Sequence, residues 1–317
     1  MQPSSRVPPQ PSLSLPEFRT GAPGTGMGFF DRLFGWHKVS GPPRRVSPLS
    51  LQLLFPSKLR LDAQALTEAL RGFHPSLSQA RFEPDSRAST AMGAEVGVAR
   101  WEKHAVQVVL FGVRMPTPTL EQCVAPAHYS AELKTQARAH TAHALLFYVG
   151  EEQDPLEQYV ALALVAVALA KQGAILVLNE SAHTSFPTHP LLPDKDEDLL
   201  DLLRTMPLTA LYVGFVKLQV PGVEGVWLRT YGAPRMGLPD LAWHARNETE
   251  AYDTFELFSG LLEYLRKTGA RFAKGHTAEW QRRHVKIRGP RWRERKFLDS
   301  PGTLFVLEPR EFPGSER

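Results

Sequence analysis

Residues 142–173 read AHALLFYVGEEQDPLEQYVALALVAVALAKQG, and two apolar elements stand side by side in them. Residues 142–149 are a short, strongly apolar run of the length of a buried strand. Beyond Asp154-Pro155 the chain keeps Ala, Val and Leu on every side of a helical wheel, which demands burial on most sides. Asp154 supplies the helix cap, Pro155 suits the first turn and Gly173 stops the helix near Gln172. The unbroken run from Tyr159 to Ala170 is twelve residues long. A bilayer needs roughly 20, so this is a core helix.

Upstream, residues 51–55 read as a strand, and Asp62 caps a helix carrying Ala65, Leu66, Ala69, Leu70 and Phe73. Residues 95–101 and 105–113 read as two strands turning at Glu102-Lys103, and 128–140 as a helix leading into the strand at 142. This order, β-α-β-β-α-β, is that of a split βαβ, ferredoxin-like unit. Downstream come a strand at 174–178, an acidic helix at 194–206, strands at 208–220 and 226–231 and an extra strand around Leu241. A helix at 248–268 and strands near Val285 and at 304–307 close the series. The order can be written β-α-β-β-α-β again. The expected fold is therefore α+β, with antiparallel or mixed sheets covered by helices, in two ferredoxin-like halves at 49–150 and 151–317. A single irregular α+β domain is the alternative.

Composition agrees with a packed core: the 317 residues are 43% hydrophobic and 22% charged, with a formal charge of +4. So small a total argues neither for nor against nucleic acid. The single cysteine, Cys123, excludes an internal disulfide and any Cys-based zinc site. It reads as a small semi-buried apolar side chain. No apolar signal-peptide core stands between Met1 and Pro23, and with the lone thiol this leads us to expect a cytoplasmic location.

Residues 1–48 hold nine prolines among many Ser and Gly, a composition that cannot bury enough apolar surface to order itself. Within this expected disordered leader, Phe29, Phe30, Leu33, Phe34 and Trp36 gather on one helical face opposite Asp31, Arg32 and Lys38. Met27 resembles a natural bacterial start, so translation is expected to begin there. The amphipathic turn from Met27 to Trp36 could touch a membrane surface, but a helix this short is marginal in water and docking on the protein's own core is favoured.

From Thr230 the chain reads TYGAPRMGLPDL to Leu241, then a helix ending YLRKTG at Gly269. Lys274-Gly-His-Thr277, Val285-Lys-Ile287 and Gly302-Thr-Leu-Phe-Val-Leu307 follow. Residues 228–308 thereby resemble the bacterial domain-of-unknown-function family numbered 4261. The resemblance implies a small α+β domain and no established chemistry. If any surface of such a domain binds, it points to Thr230, Asp240, His276 and Thr277. One position departs from the pattern: Lys274 precedes Gly275 where an acidic or polar residue is expected. Read physically, Gly232, Gly237 and Pro239 set turns, while Asp240 or Thr230 satisfies loop amides.

Other constellations are thin. Gly21 to Gly28 is glycine-rich but is followed by no Lys-Ser/Thr pair, so it is no phosphate loop. His140 and His143 stand three apart at a helix-to-strand junction; His183 and His189 lie in a polar loop and could join a metal site. Ser181 and Ser185 lack a nucleophile elbow. The acidic run 194–201 reads as a solvated helix start. Residues 271–296 hold ten Lys or Arg against two Glu, with Trp280 and Trp292 interleaved. Arg282, Arg283, Arg288, Arg291, Trp292 and Arg293 could meet phosphates and stack a base. Guarding an edge strand is the first reading of this stretch, an acidic protein partner the second and nucleic acid the third.

The expected function is a non-catalytic protein-binding module of the immunity or accessory-factor type, using no cofactor. The alternatives are nucleic-acid binding through the stretch from Arg282 to Lys296, and a metal-dependent enzyme built on the His183/His189 loop.

Overall fold

The computed structural model describes residues 47–194, 197–280 and 283–309. The leader expected over 1–48, its amphipathic turn included, lies outside the described residues apart from Ser47 and Pro48.

The first half of the chain builds β1 (Ser50–Phe55), α1 (Ala63–Phe73), β2 (Arg81–Pro84), α2 (Ser86–Met92), β3 (Glu95–Trp101), β4 (His104–Phe111), α3 (Thr117–Val124), α4 (Ala131–Ala139), β5 (Ala142–Tyr148), α5 (Pro155–Ala170), β6 (Leu176–Asn179) and β7 (Thr184–Pro187). Its strands form one seven-stranded sheet in the order β2-β3-β4-β5-β1-β6-β7, and every neighbouring pair is antiparallel. The two sides of β1 part by the period of two that a strand imposes. Leu51, Leu53 and Phe55 face the main core with Leu66 of α1 and the α5 residues, while Leu54 faces Leu120 and Val124 of α3 and Ala137 of α4.

Helix α5 is the axis of that core. The Asp154 carboxylate accepts the Leu156 N–H at 2.9 Å, and thirteen of its sixteen residues are buried. It lies on β1, β4 and β5 and reaches α1, α6 (Leu199–Thr205) and the 3-10 turn Ala233–Met236. Apolar neighbours on all sides are why its sequence carries no polar stripe.

Continuing through α7 (Leu208–Leu211), the chain builds β8 (Gly214–Leu218), β9 (Val226–Tyr231), β10 (Asp240–Ala245), α8 (Ala251–Thr268), β11 (Thr277–Trp280), β12 (Arg283–Arg288) and β13 (Leu304–Pro309). They form a six-stranded mixed sheet, β11-β12-β13-β10-β9-β8, in which β10 and β13 run parallel. Leu228, Leu241, Ile287 and Leu307 meet Leu257, Phe258 and Leu261 of α8 in the main core. Trp227, Ala242 and Val306 face the other way, under Phe297 and Leu298.

The α+β class with antiparallel and mixed sheets is thus present, but the ferredoxin-like arrangement of the halves is not. A split βαβ needs parallel strands, whereas β5 lies antiparallel between β4 and β1. The α3–α4 pair carries the chain out over one face of the sheet and back beside β4. The first sheet also continues past residue 150, because β6 and β7 add to β1. Residues 208–211 are helical where a strand was expected: Pro207 starts a helical turn at φ −54°, and the strand begins only at Gly214. Helix α2 escaped notice because it buries none of its seven residues, which leaves no apolar periodicity to read.

Candidate functional site

The second sheet brings Thr230 and Asp240 together and leaves His276 and Thr277 elsewhere. Thr230, last but one in β9, donates to Asp240 Oδ1 at 3.2 Å and accepts the Leu241 N–H at 2.8 Å. Asp240 also accepts the Ala233 N–H at 3.1 Å and the Ser300 hydroxyl at 2.7 Å. Burial pushes its carboxyl above the ordinary range, against these bonds and the nearby Arg229. Both side chains are fully buried. Their work is to tie the 3-10 turn and the 300–303 loop to the sheet. His276 and Thr277 sit exposed at β11, with β12 and β13 between them and β10.

Beside this pair lies Arg229, a residue the sequence did not single out. It is 0% exposed. Its guanidinium donates to the carbonyls of Thr230 (3.3 Å), Phe297 (3.2 Å) and Asp299 (2.6 Å) and stacks 3.7 Å from the Tyr231 ring centroid. The one signal available was an arginine inside the otherwise apolar VWL of β9.

Arg282 lies outside the described residues, and Arg283 opens β12. Arg288 is held by both oxygens of Glu294 (2.5 and 2.7 Å) and by Glu308 (2.6 Å); Arg291 reaches Glu308 at 2.9 Å. These two cations brace the 289–298 loop against β12 and β13. Trp292 is different. It is 67% exposed, with Arg293 at 5.0 Å and Lys296 at 5.9 Å from its ring centroid. Among the described residues no carboxylate pairs with Arg293, Arg295, Lys296 or Lys274, and Lys274 and Arg295 border a trough of about 510 Å³.

The histidine loop does not assemble ligands. His189 is exposed. His183 stacks on Tyr231 at 4.1 Å, on the ring that also carries Arg229, and its Nε2 lies 2.5 Å from Gln122 Nε2. Among the described residues no three His, Cys, Asp or Glu side chains converge on a metal position. Cys123 is buried, and burial pushes its thiol up to about 12.

His140 and His143 are structural. His140 donates from Nδ1 to the Ala137 carbonyl (2.6 Å) and accepts the Met115 N–H at Nε2 (2.8 Å). His143 donates to the Val113 carbonyl at 2.8 Å. Burial lowers both from the ordinary imidazole range, so below about pH 6.5 the unfolded chain binds more protons than the folded one. Stability is therefore expected to fall as pH drops from about 6.5 through the folded-state values. Melting temperatures at pH 7.5 and 5 test this: His140→Gln, which carries no titrating proton, should show a smaller drop than the wild type. An equal drop would place the acid sensitivity elsewhere.

One further feature had no sequence signal: a cavity of about 380 Å³ where β7, the edge of the first sheet, faces β8, the edge of the second. At Gly214, the first residue of β8, a Cβ would collide with the carbonyl of Ala182 in the 3-10 turn that precedes β7. With the fold and these sites in view, comparison with known proteins finds no family model, no curated protein and no solved structure that matches this chain.

Proposed function

We propose that the chain is a non-catalytic protein-binding module, of the immunity or accessory-factor type, that presents the face around Trp292 to an acidic partner protein. The observation that carries this reading is Trp292 itself, held in water with two cations over its ring. Trp and Arg dominate the energetics of protein interfaces, and cations without carboxylate partners are complementary to an acidic surface. Arg288 and Arg291 are instead paired with Glu294 and Glu308.

The test is affinity purification from the native host at moderate salt, with wild type and Trp292→Ala side by side. A stoichiometric partner is expected with the wild type and is lost with Trp292→Ala. Folding stability should stay within about 0.5 kcal/mol, since two thirds of the side chain is exposed to water. A partner retained by the variant would refute the assigned face.

Nucleic-acid binding is the second reading, favoured by the trough bordered by Lys274 and Arg295 and by the exposed ring of Trp292. It predicts a nuclease-sensitive excess of 260 nm absorbance and affinity falling steeply with salt.

A further inference from the structure

We propose that the trough bordered by Lys274 and Arg295 seats a single carboxylate side chain, a Glu flanked by apolar residues, presented by the partner protein. This rests on the protein-binding reading above and names the contact such a partner makes.

The trough, of about 510 Å³, lies where the loop before β11 and the residues after β12 meet the start of β13. Two cations line it. Lys274 is exposed, and its ammonium makes no hydrogen bond or ion pair among the described residues. Arg295 donates only from Nε, at 3.5 Å, to the Pro290 carbonyl. Its two Nη groups have no partner among the described residues. A guanidinium with its outer nitrogens open is the fork that receives a carboxylate through two parallel bonds.

Lys274 owes its place to Gly289. A Cβ there would stand 2.8 Å from the Lys274 Cε, so the missing side chain lets the lysine stem lie against the chain just past β12.

The rest of the lining decides which anion fits. Leu298, Leu304 and Phe305 give the trough an apolar floor, against which the methylenes of a Glu and an apolar neighbour gain by burial. Ser300 is already satisfied, donating to Asp240 and accepting the Gly302 N–H. The lining also holds one carboxylate, Asp299, which is 87% exposed and 3.7 Å from Arg229 Nη1. Nucleic acid carries a charge about every 3.4 Å along each strand of a duplex. A strand laid through the trough brings charges up to Asp299 as well as to the two cations, and like charges brought together oppose binding. One isolated carboxylate meets the cations alone.

The test titrates acetyl-Gly-Leu-Glu-Leu-Gly-amide, its Gln counterpart and hexathymidylate into the full chain, followed by NMR amide shifts. The Glu peptide is expected to saturate one site and to bind about fivefold tighter than the Gln peptide, as two exposed ion pairs allow. Lys274→Gln and Arg295→Gln, both at exposed positions, should each weaken it about two- to threefold. Gly289→Ala, which displaces the lysine stem, should reproduce the Lys274→Gln loss. Arg60→Gln removes an equal charge from an exposed position outside the trough and should change nothing. Absence of saturable binding, equal affinity for the Glu and Gln peptides, or an equal loss in Arg60→Gln would overturn the proposal. So would tighter binding of hexathymidylate that is lost in Lys274→Gln, since the occupant would then be nucleic acid. A native partner lost with Trp292→Ala but kept by both trough variants would remove the trough and leave the protein-binding reading standing.

Discussion

Arg229→Ala is expected to cost about 3–5 kcal/mol of folding stability, because it empties a buried cationic position and strands what was built around it. Three carbonyls, those of Thr230, Phe297 and Asp299, lose their donor, and Tyr231 loses the guanidinium on its face. The Asp240 carboxylate stays buried with its nearest positive charge removed. Urea melts of wild type and variant measure the loss; a change below about 1 kcal/mol would mean that the 297–299 loop rearranges to solvate the gap. Arg229→Lys should recover only part, since an ammonium on a flexible stem cannot span three carbonyls at fixed angles.

Asp240→Ala is the second large effect, at about 3 kcal/mol. The Ala233 N–H and the Thr230 and Ser300 hydroxyls lose one shared acceptor, and each unsatisfied buried group costs about 1–3 kcal/mol, moderated where it can turn to another partner. Asp240→Asn keeps one acceptor oxygen and should cost less. Asp240 and Arg229 also act on each other electrostatically, so the double variant is expected to lose less than the sum, with a coupling within the roughly 0.5–3 kcal/mol of contacting pairs. Strict additivity would show that the two residues stabilise different loops independently.

Both effects sit in a cluster that the chain disclosed only in part. Thr230 and Asp240 drew attention through their place in the TYGAPRMGLPDL stretch, and the structure puts them in contact. Their third partner, Ser300, is 60 residues from Asp240 and lies in a loop with no pattern of its own. His276 and Thr277 share that stretch's resemblance yet lie three strands away from β10 in the sheet order. The basic run divided in the same manner: charge counting grouped Arg288 with Arg293, while the fold sends the first to Glu294 and Glu308 and leaves the second beside Trp292.

Local chemistry was enough to place the caps at Asp62 and Asp154, the turn at Glu102, where φ is 44°, the all-apolar helix α5 and most strands, because each depends on residues within a few positions of one another. Strand partnership was not readable, because a strand buried on both faces carries the same near-continuous apolar run whether its neighbour is antiparallel or parallel. Whether β5 lies beside β1 or apart from it depends on which face α3 and α4 cover, and that is settled by packing across the whole unit. The same long-range packing brought the β7 and β8 edges to face each other. A cavity is the space left between elements, so it has no residues of its own to announce it in the chain.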